Sequence, residues 1–268
     1  MGRRRARAHL VGAAPAGEPR WIALGIALAD LAEQPGDEES AMGARVNAVL
    51  LDVDGTLIDD NLLHVLAWRR AFERLGLEID ATALVHAMGM GGDRLVPAIL
   101  GPDVDEATAE LARDRHAAEY VSEGLIEHSR VLPGAIELLS ALRAQGVRTA
   151  LASSASAEEL AHYLLLLGGE DVVDALVTKE DVPATKPAPH VFAVALERLG
   201  KPERALVVGD TVYDVAAAAG LGLPCVCVLT GGIERHVLAH AGAAAVYDSA
   251  AAVLEDLDRL LSAPALAA

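Results

Sequence analysis

The feature that most constrains how this chain can fold is a repeating alternation. Short apolar runs rich in Val, Leu and Ala lie at 46–51, 148–152, 175–178, 205–208 and 224–229. Stretches with apolar residues at helical spacing lie between or after them, at 133–144, 156–167, 189–199, 212–219, 233–241 and 250–261. Nearly continuous apolar strands belong to sheets buried on both faces, which are parallel sheets covered by helices. Strand followed by helix followed by strand requires right-handed crossovers, so the expected fold is α/β with a doubly wound parallel sheet. Gly146, Gly168, Gly200 and Gly220 stand where the predicted helices stop.

One segment breaks the rhythm. Between 62 and 126 no strand pattern occurs, and helical spacing appears at 62–75, 81–88, 93–100 and 106–123. The expected organisation is therefore an N-terminal extension (1–44), a catalytic core (45–61 and 127–268) and an all-helical insert (62–126), with hinges near 59–61 and 127–133. The extension carries Arg3-Arg4-Arg5 and an apolar stretch, 21–31, too short to span a bilayer. No clear small-residue cleavage site follows, so it is expected to be flexible and dispensable, with Met42 a candidate start.

Composition narrows the function classes. The formal charge is −17, from 22 basic and 39 acidic residues, and aromatics make up only 3%. Such a surface repels nucleic acid and anionic membranes and lacks an aromatic platform for stacking bases, so neither is expected as a partner. Whether the chain is a monomer or a homodimer is not legible. Cys225 and Cys227 sit two apart in an apolar run, a spacing that suits neither a disulfide nor, with no further ligands nearby, a zinc site. They read as buried thiols of a cytoplasmic protein.

In an open parallel sheet ligands gather at the carboxyl ends of the strands, and four such ends here are polar. After the first strand come Asp52-Val53-Asp54-Gly55-Thr56, with Asp52 placed to attack an electrophile and Asp54 to give or take a proton. After 148–152 come Ser153 and Ser154, hydroxyls with free backbone N–H groups that form a phosphate cradle or, taken singly, a helix N-cap. Lys186 sits in a loop stiffened by Pro187 and Pro189 and offers a fixed positive charge. After 205–208 come Asp210 and Asp214. Four carboxylates beside one lysine and a phosphate cradle suggest a hard, oxygen-liganded cation, Mg2+ being the usual one beside phosphate. In the insert, Arg94 follows three glycines (Gly89, Gly91, Gly92) and is a candidate for an anionic group of the substrate. His64, near the entrance of the insert, reads as a solvated helix residue or else as one facing the cleft, and Tyr213 as either packing under the metal loop or shaping the entrance.

The order of these motifs resembles the haloacid dehalogenase superfamily in its aspartyl-phosphatase branch, over most of the chain from about 46 to 228. Asp-x-Asp-Gly-Thr is complete at 52–56, and Ser153, Lys186 and the Gly-Asp-x-x-x-Asp at 209–214 match the remaining motifs. The resemblance implies a Rossmann-like core with a helical cap and a small phosphorylated metabolite as substrate, phosphoglycolate first among them. It further implies an aspartyl-phosphate on Asp52, Asp54 as acid and then base, and Mg2+ held by Asp52, the Asp54 carbonyl, Asp210 and, through water, Asp214. Thr56, Ser153, Ser154 and Lys186 are the implied phosphate-binding residues. Phosphomutases of the β-phosphoglucomutase kind share the motifs and are the alternative, although Gly-Asp-Thr-Val-Tyr-Asp looks more like the phosphoglycolate phosphatases. Dehalogenases lack the second aspartate, and a non-catalytic relative would be expected to carry a damaged motif.

Overall fold

The computed structural model describes residues 45–262; the expected extension, 1–44, lies outside them. Six parallel strands form the main sheet, in the order β5-β4-β1-β6-β7-β8. They are β1 (Ala48–Leu51), β4 (Arg148–Ala152), β5 (Ala175–Val177), β6 (Ala205–Gly209), β7 (Cys225–Val228) and β8 (Ala245–Tyr247). The sheet is doubly wound, as the alternation of runs predicts. In β1, Val49 and Leu51 join an apolar layer with Leu138, Leu164 and Val253. Ala48 and Leu50 join the opposite layer with Phe192, Val207 and Ala217. Successive strand residues point to opposite faces, so burying all four of β1 requires helices on both sides.

The helices of the first layer are α5 (Ala135–Ala144), α6 (Ala157–Leu167), α10 (Ala250–Glu255) and α11 (Leu257–Ser262); those of the second are α7 (His190–Arg198), α8 (Val212–Ala219) and α9 (Arg235–His240). Two details escape the sequence pattern. β8 is a short edge strand in an alanine-rich stretch, where little β-branching marks it. The last helical stretch divides at Asp256 into α10 and α11.

Between Asn61 and His128 every described element is helical: α1 (Asn61–Arg74), α2 (Ala81–Ala87), α3 (Gly92–Leu100), α4 (Glu106–Ala117), a π turn at Ala118–Ser122 and a 3-10 turn at Leu125–His128. The first four pack around a separate apolar core of Trp68, Phe72, Leu84, Leu95, Val96 and Ala112. Residues flanking this unit pair as a small antiparallel ribbon, β2 (Ile58–Asp59) against β3 (Arg130–Val131), with Ile58 opposite Val131. No described helix is long and apolar enough to cross a membrane.

Candidate active site

Strand register assembles the site. Leu51 lies opposite both Leu151 on β4 and Val208 on β6, so the residues just past the three tips emerge together at one edge of the sheet. From β1 comes Asp52, whose N–H donates to the Val208 carbonyl at 2.9 Å. From β4 come Ser153 and Ser154, from β6 comes Asp210, and the loop before α7 adds Lys186.

Asp52, Lys186, Asp210 and Asp214 are each no more than 1% exposed. Lys186 Nζ lies 2.5 Å from Asp52 Oδ1 and donates to Asp214 Oδ1 at 2.9 Å. The other Asp214 oxygen accepts from the Thr211 N–H at 3.0 Å and the Thr211 hydroxyl at 2.6 Å, closing a capping box at the start of α8. Asp214 is thus committed to aiming Lys186 and starting the helix, and Thr211, rather than Asp210, is the N-cap. Asp210 accepts from Thr56 Oγ1 at 3.2 Å and Asn61 Nδ2 at 3.3 Å. A Cβ at Gly55 or Gly231 would collide with its carboxylate, so both glycines are needed for this close approach.

Carboxyl oxygens of Asp52, Asp210 and Asp214 all lie within 4.8 Å of one another. Burial first, then the charge of Asp214, pushes Asp52 up to about 7 against the pull of Lys186. Asp210 is driven well above its ordinary value by burial and by the same neighbours. Lys186 moves further up despite its burial, because Asp214 and Asp52 hold its charge. Three carboxylates and one ammonium leave two formal negative charges in a buried space. A divalent cation with oxygen ligands matches both the charge and the donors, so the residues fit Mg2+.

Asp54 stands beside this group. Its Oδ2 accepts from Ser153 Oγ at 3.1 Å, while its Oδ1 is buried without a hydrogen-bond partner. Ser153 is itself fully buried, and its oxygen also accepts from the Ala155 N–H at 2.9 Å. Ser154 lines the cleft, its hydroxyl without a partner. The N-cap of α6 is Ser156.

The cleft in front of Asp52 and Asp54 encloses about 450 Å3 and is walled on one side by the helical unit. Three expected substrate-binding residues are not on it: Ser153, buried beneath Asp54, and two others. Thr56 is fully buried with its hydroxyl on Asp210, because the turn at Gly55 directs it under the carboxylates. Arg94 is half-exposed against Asp93 at 3.5 Å and does not line the cleft, since in α3 its neighbours Gly92 and Asp93 occupy that wall. Besides Lys186, the lysine and arginine side chains that do line it are Arg113, which pairs with Glu106, and Lys179, for which no ion pair is found among the described residues.

His64 is not a solvated helix residue. Its side chain is 12% exposed, with Nε2 3.6 Å from Asp54 Oδ1 and 3.8 Å from Asp60 Oδ2. The signal was present as Asp60 and His64 four apart at the start of a helix, which places them on one face. Tyr213 joins core to helical unit, its hydroxyl donating to the His86 carbonyl at 2.8 Å. Asp93 does the same from the other side, accepting from both the N–H and the hydroxyl of Thr185, the residue before Lys186.

Sheet order, strand-end carboxylates and a buried lysine together define a hydrolase of the α/β class with an aspartate-centred site, and comparison gives the family. The haloacid dehalogenase-like hydrolase family matches residues 46–222, and the chain belongs to it. A phosphoglycolate phosphatase of Rhodospirillum rubrum is 32% identical over 236 residues, covering 82% of this chain and 97% of that one. A fructose-1-phosphate phosphatase of Escherichia coli is 29% identical, over 70% of this chain and 98% of its own. Among solved structures, a hydrolase from Pseudomonas syringae superposes with a TM-score of 0.76 at 29% identity, covering 81% of this chain and all of the other.

Proposed function

We propose that this enzyme is a magnesium-dependent phosphomonoesterase that cleaves a small phosphorylated metabolite through an aspartyl-phosphate on Asp52. The observation that carries the reading is the buried set of Asp52, Lys186, Asp210 and Asp214 at one sheet edge, beside an Asp54 with a free buried oxygen. Asp52 and Asp210, with the Asp54 carbonyl, would hold the cation, which supplies charge neutralisation at the phosphoryl group. Asp214 contributes by fixing Lys186.

The chain's own groups then divide the work. The Asp52 carboxylate attacks phosphorus and the P–O bond to the leaving alcohol breaks. Asp54 delivers a proton to that alcohol oxygen and afterwards takes one from the water that cleaves the acyl phosphate. Lys186 and the Ser154 hydroxyl meet the phosphoryl oxygens, whose charge is what phosphoryl transfer chiefly requires to be positioned and neutralised. The helical unit acts as a cap, latched by Asp93 and Tyr213, and keeps bulk water from the site. Phosphoglycolate is the proposed substrate. The Rhodospirillum rubrum relative bears that name, and Lys179 supplies a cation on the cleft wall for a carboxylate.

The test is phosphate release from a panel of small phosphomonoesters, with and without Mg2+, for wild type and Asp52→Asn. Metal-dependent release abolished by the substitution supports the reading. Absence of release from every ester by folded, Mg2+-loaded protein overturns it.

A further inference from the structure

A second cluster of ligand atoms lies behind Asp54, and the phosphoryl-transfer chemistry does not use it. Asp54 Oδ1, an Asp60 carboxyl oxygen and a His64 ring nitrogen all lie within 4.8 Å of one another. His64 Nε2 is 3.6 Å from Asp54 Oδ1 and 3.8 Å from Asp60 Oδ2. The edge of a tetrahedron with bonds of about 2.1 Å, the length of zinc–imidazole and zinc–carboxylate bonds, is about 3.4 Å. The nitrogen already stands within a few tenths of an ångström of that spacing from both oxygens.

Two further observations point to a ligand. Asp60 is 1% exposed, and one of its oxygens, like Asp54 Oδ1, is buried with no hydrogen-bond partner. Its other oxygen, Oδ2, the one 3.8 Å from His64 Nε2, accepts from Tyr120 Oη at 3.3 Å, which fixes the carboxylate. His64 is fixed as well: Nδ1 lies 3.2 Å from His116 Nε2, and the ring stacks on Tyr120 with centroids 3.8 Å apart. In the tautomer with the proton on His64 Nδ1, His116 Nε2 accepts the hydrogen bond. The lone pair is then on Nε2, where the Tyr163 hydroxyl, 3.4 Å away, is the group a metal would displace, and an outer partner such as His116 is what orients ligating histidines in metal sites.

We propose that Asp54, Asp60 and His64 form a second metal site, selective for a zinc-class divalent cation and distinct from the all-carboxylate site at Asp52, Asp210 and Asp214. Imidazole with two carboxylates suits Zn2+ or Co2+, whereas Mg2+ prefers oxygen donors and retained water. Asp54 and His64 line the cleft, which gives the ion an entry path. Occupancy ties up Asp54 Oδ1 and so inhibits turnover. This inhibition rests on the role given to Asp54 above; the binding does not.

Co2+ serves as the spectroscopic probe, titrated into the full chain carrying Asp210→Asn, which disables the carboxylate site. The expected result is a visible ligand-field band saturating at one equivalent, lost in Asp210→Asn combined with Asp60→Asn or with His64→Ala. Each protein is checked for folding by circular dichroism. His116→Ala, in the same Asp210→Asn background, is expected to weaken Co2+ by about 10–100-fold without abolishing the band, and it serves if the inner-ligand variants do not fold. Zn2+ added to wild type in excess Mg2+ is expected to lower phosphate release by at least about 100-fold, the scale of a lost general acid. No band in Asp210→Asn, or a band that folded Asp60→Asn, His64→Ala and His116→Ala variants all leave unchanged, overturns the site. A band with no phosphate release even in Mg2+ alone overturns the phosphatase reading and leaves the site standing.

Discussion

At the scale of single residues, charge placement in the cleft makes separable claims. Lys179→Ala is expected to raise KM for phosphoglycolate about 3–10-fold with a smaller change in kcat, the size of one partly exposed ion pair. Arg94→Ala is expected to leave KM unchanged within about twofold; steady-state kinetics on both variants checks the pair. Asp52 offers a pH test. In the metal-free enzyme its carboxyl is held up to about 7 from an ordinary 3.8, by burial and by Asp214. The folded state therefore keeps a proton that the unfolded chain has lost, and stability falls as pH rises through that window. The expected outcome in chelator is a Tm that declines between those pH values and declines less in Asp52→Asn. Most of the residues gathered at the candidate site were legible at this scale, because buried-strand tips ending in Asp, Ser and Gly-Asp contradict their apolar surroundings. His116, Tyr120 and Tyr163 were not, since a polar group in a helix is ordinary until the fold gathers several around His64 and Asp60.

At the scale of elements, the glycine-rich segment ahead of α3 is a docking strip. A Cβ at Gly91 would collide with Thr185, and one at Gly89 with Thr211, the residues next to Lys186 and at the cap of α8. Gly91→Ala is expected to hold the helical unit away from the Lys186 loop and lower kcat/KM by about tenfold or more, on the scale of misplaced catalytic groups. Met88 and Met90 of this strip pack into the apolar core of α1–α4, but Gly91 supplies no side chain to it, so Tm is expected to change little. Circular dichroism melts beside kinetics separate the two effects. The sequence pattern located this segment as a place of close approach or a hinge but offered Arg94 rather than Asp93 as its contact, because spacing along a helix does not say which of two neighbours meets the opposing loop. The short strands β2, β3 and β8 were missed for a related reason: two or three residues carry too little periodicity to show, and only pairing defines them.

At the scale of the whole molecule, the closed site holds more negative charge than its lysine balances, and a cation that binds only the folded chain stabilises it by mass action. Mg2+ at a hundred times its Kd is expected to contribute about 2.7 kcal/mol, seen as a rise in Tm at neutral pH that Asp210→Asn abolishes. The doubly wound parallel character of the sheet was legible, because each strand–helix step allows one handedness, whereas its strand order and the edge strand β8 were not. The relation of the helical unit to the sheet was not, since it depends on side-chain contacts such as Asp93 with Thr185 and Tyr213 with His86. The β2–β3 ribbon adds one consequence. Two adjacent tethers leave a rigid body essentially one rotational degree of freedom, so the helical unit swings like a door on a single axle. Asp60 and Asn61 stand immediately beyond that axle. A rotation about that axle would separate His64 from Asp54, so admitting substrate and rearranging the proposed acid–base site would be one and the same movement.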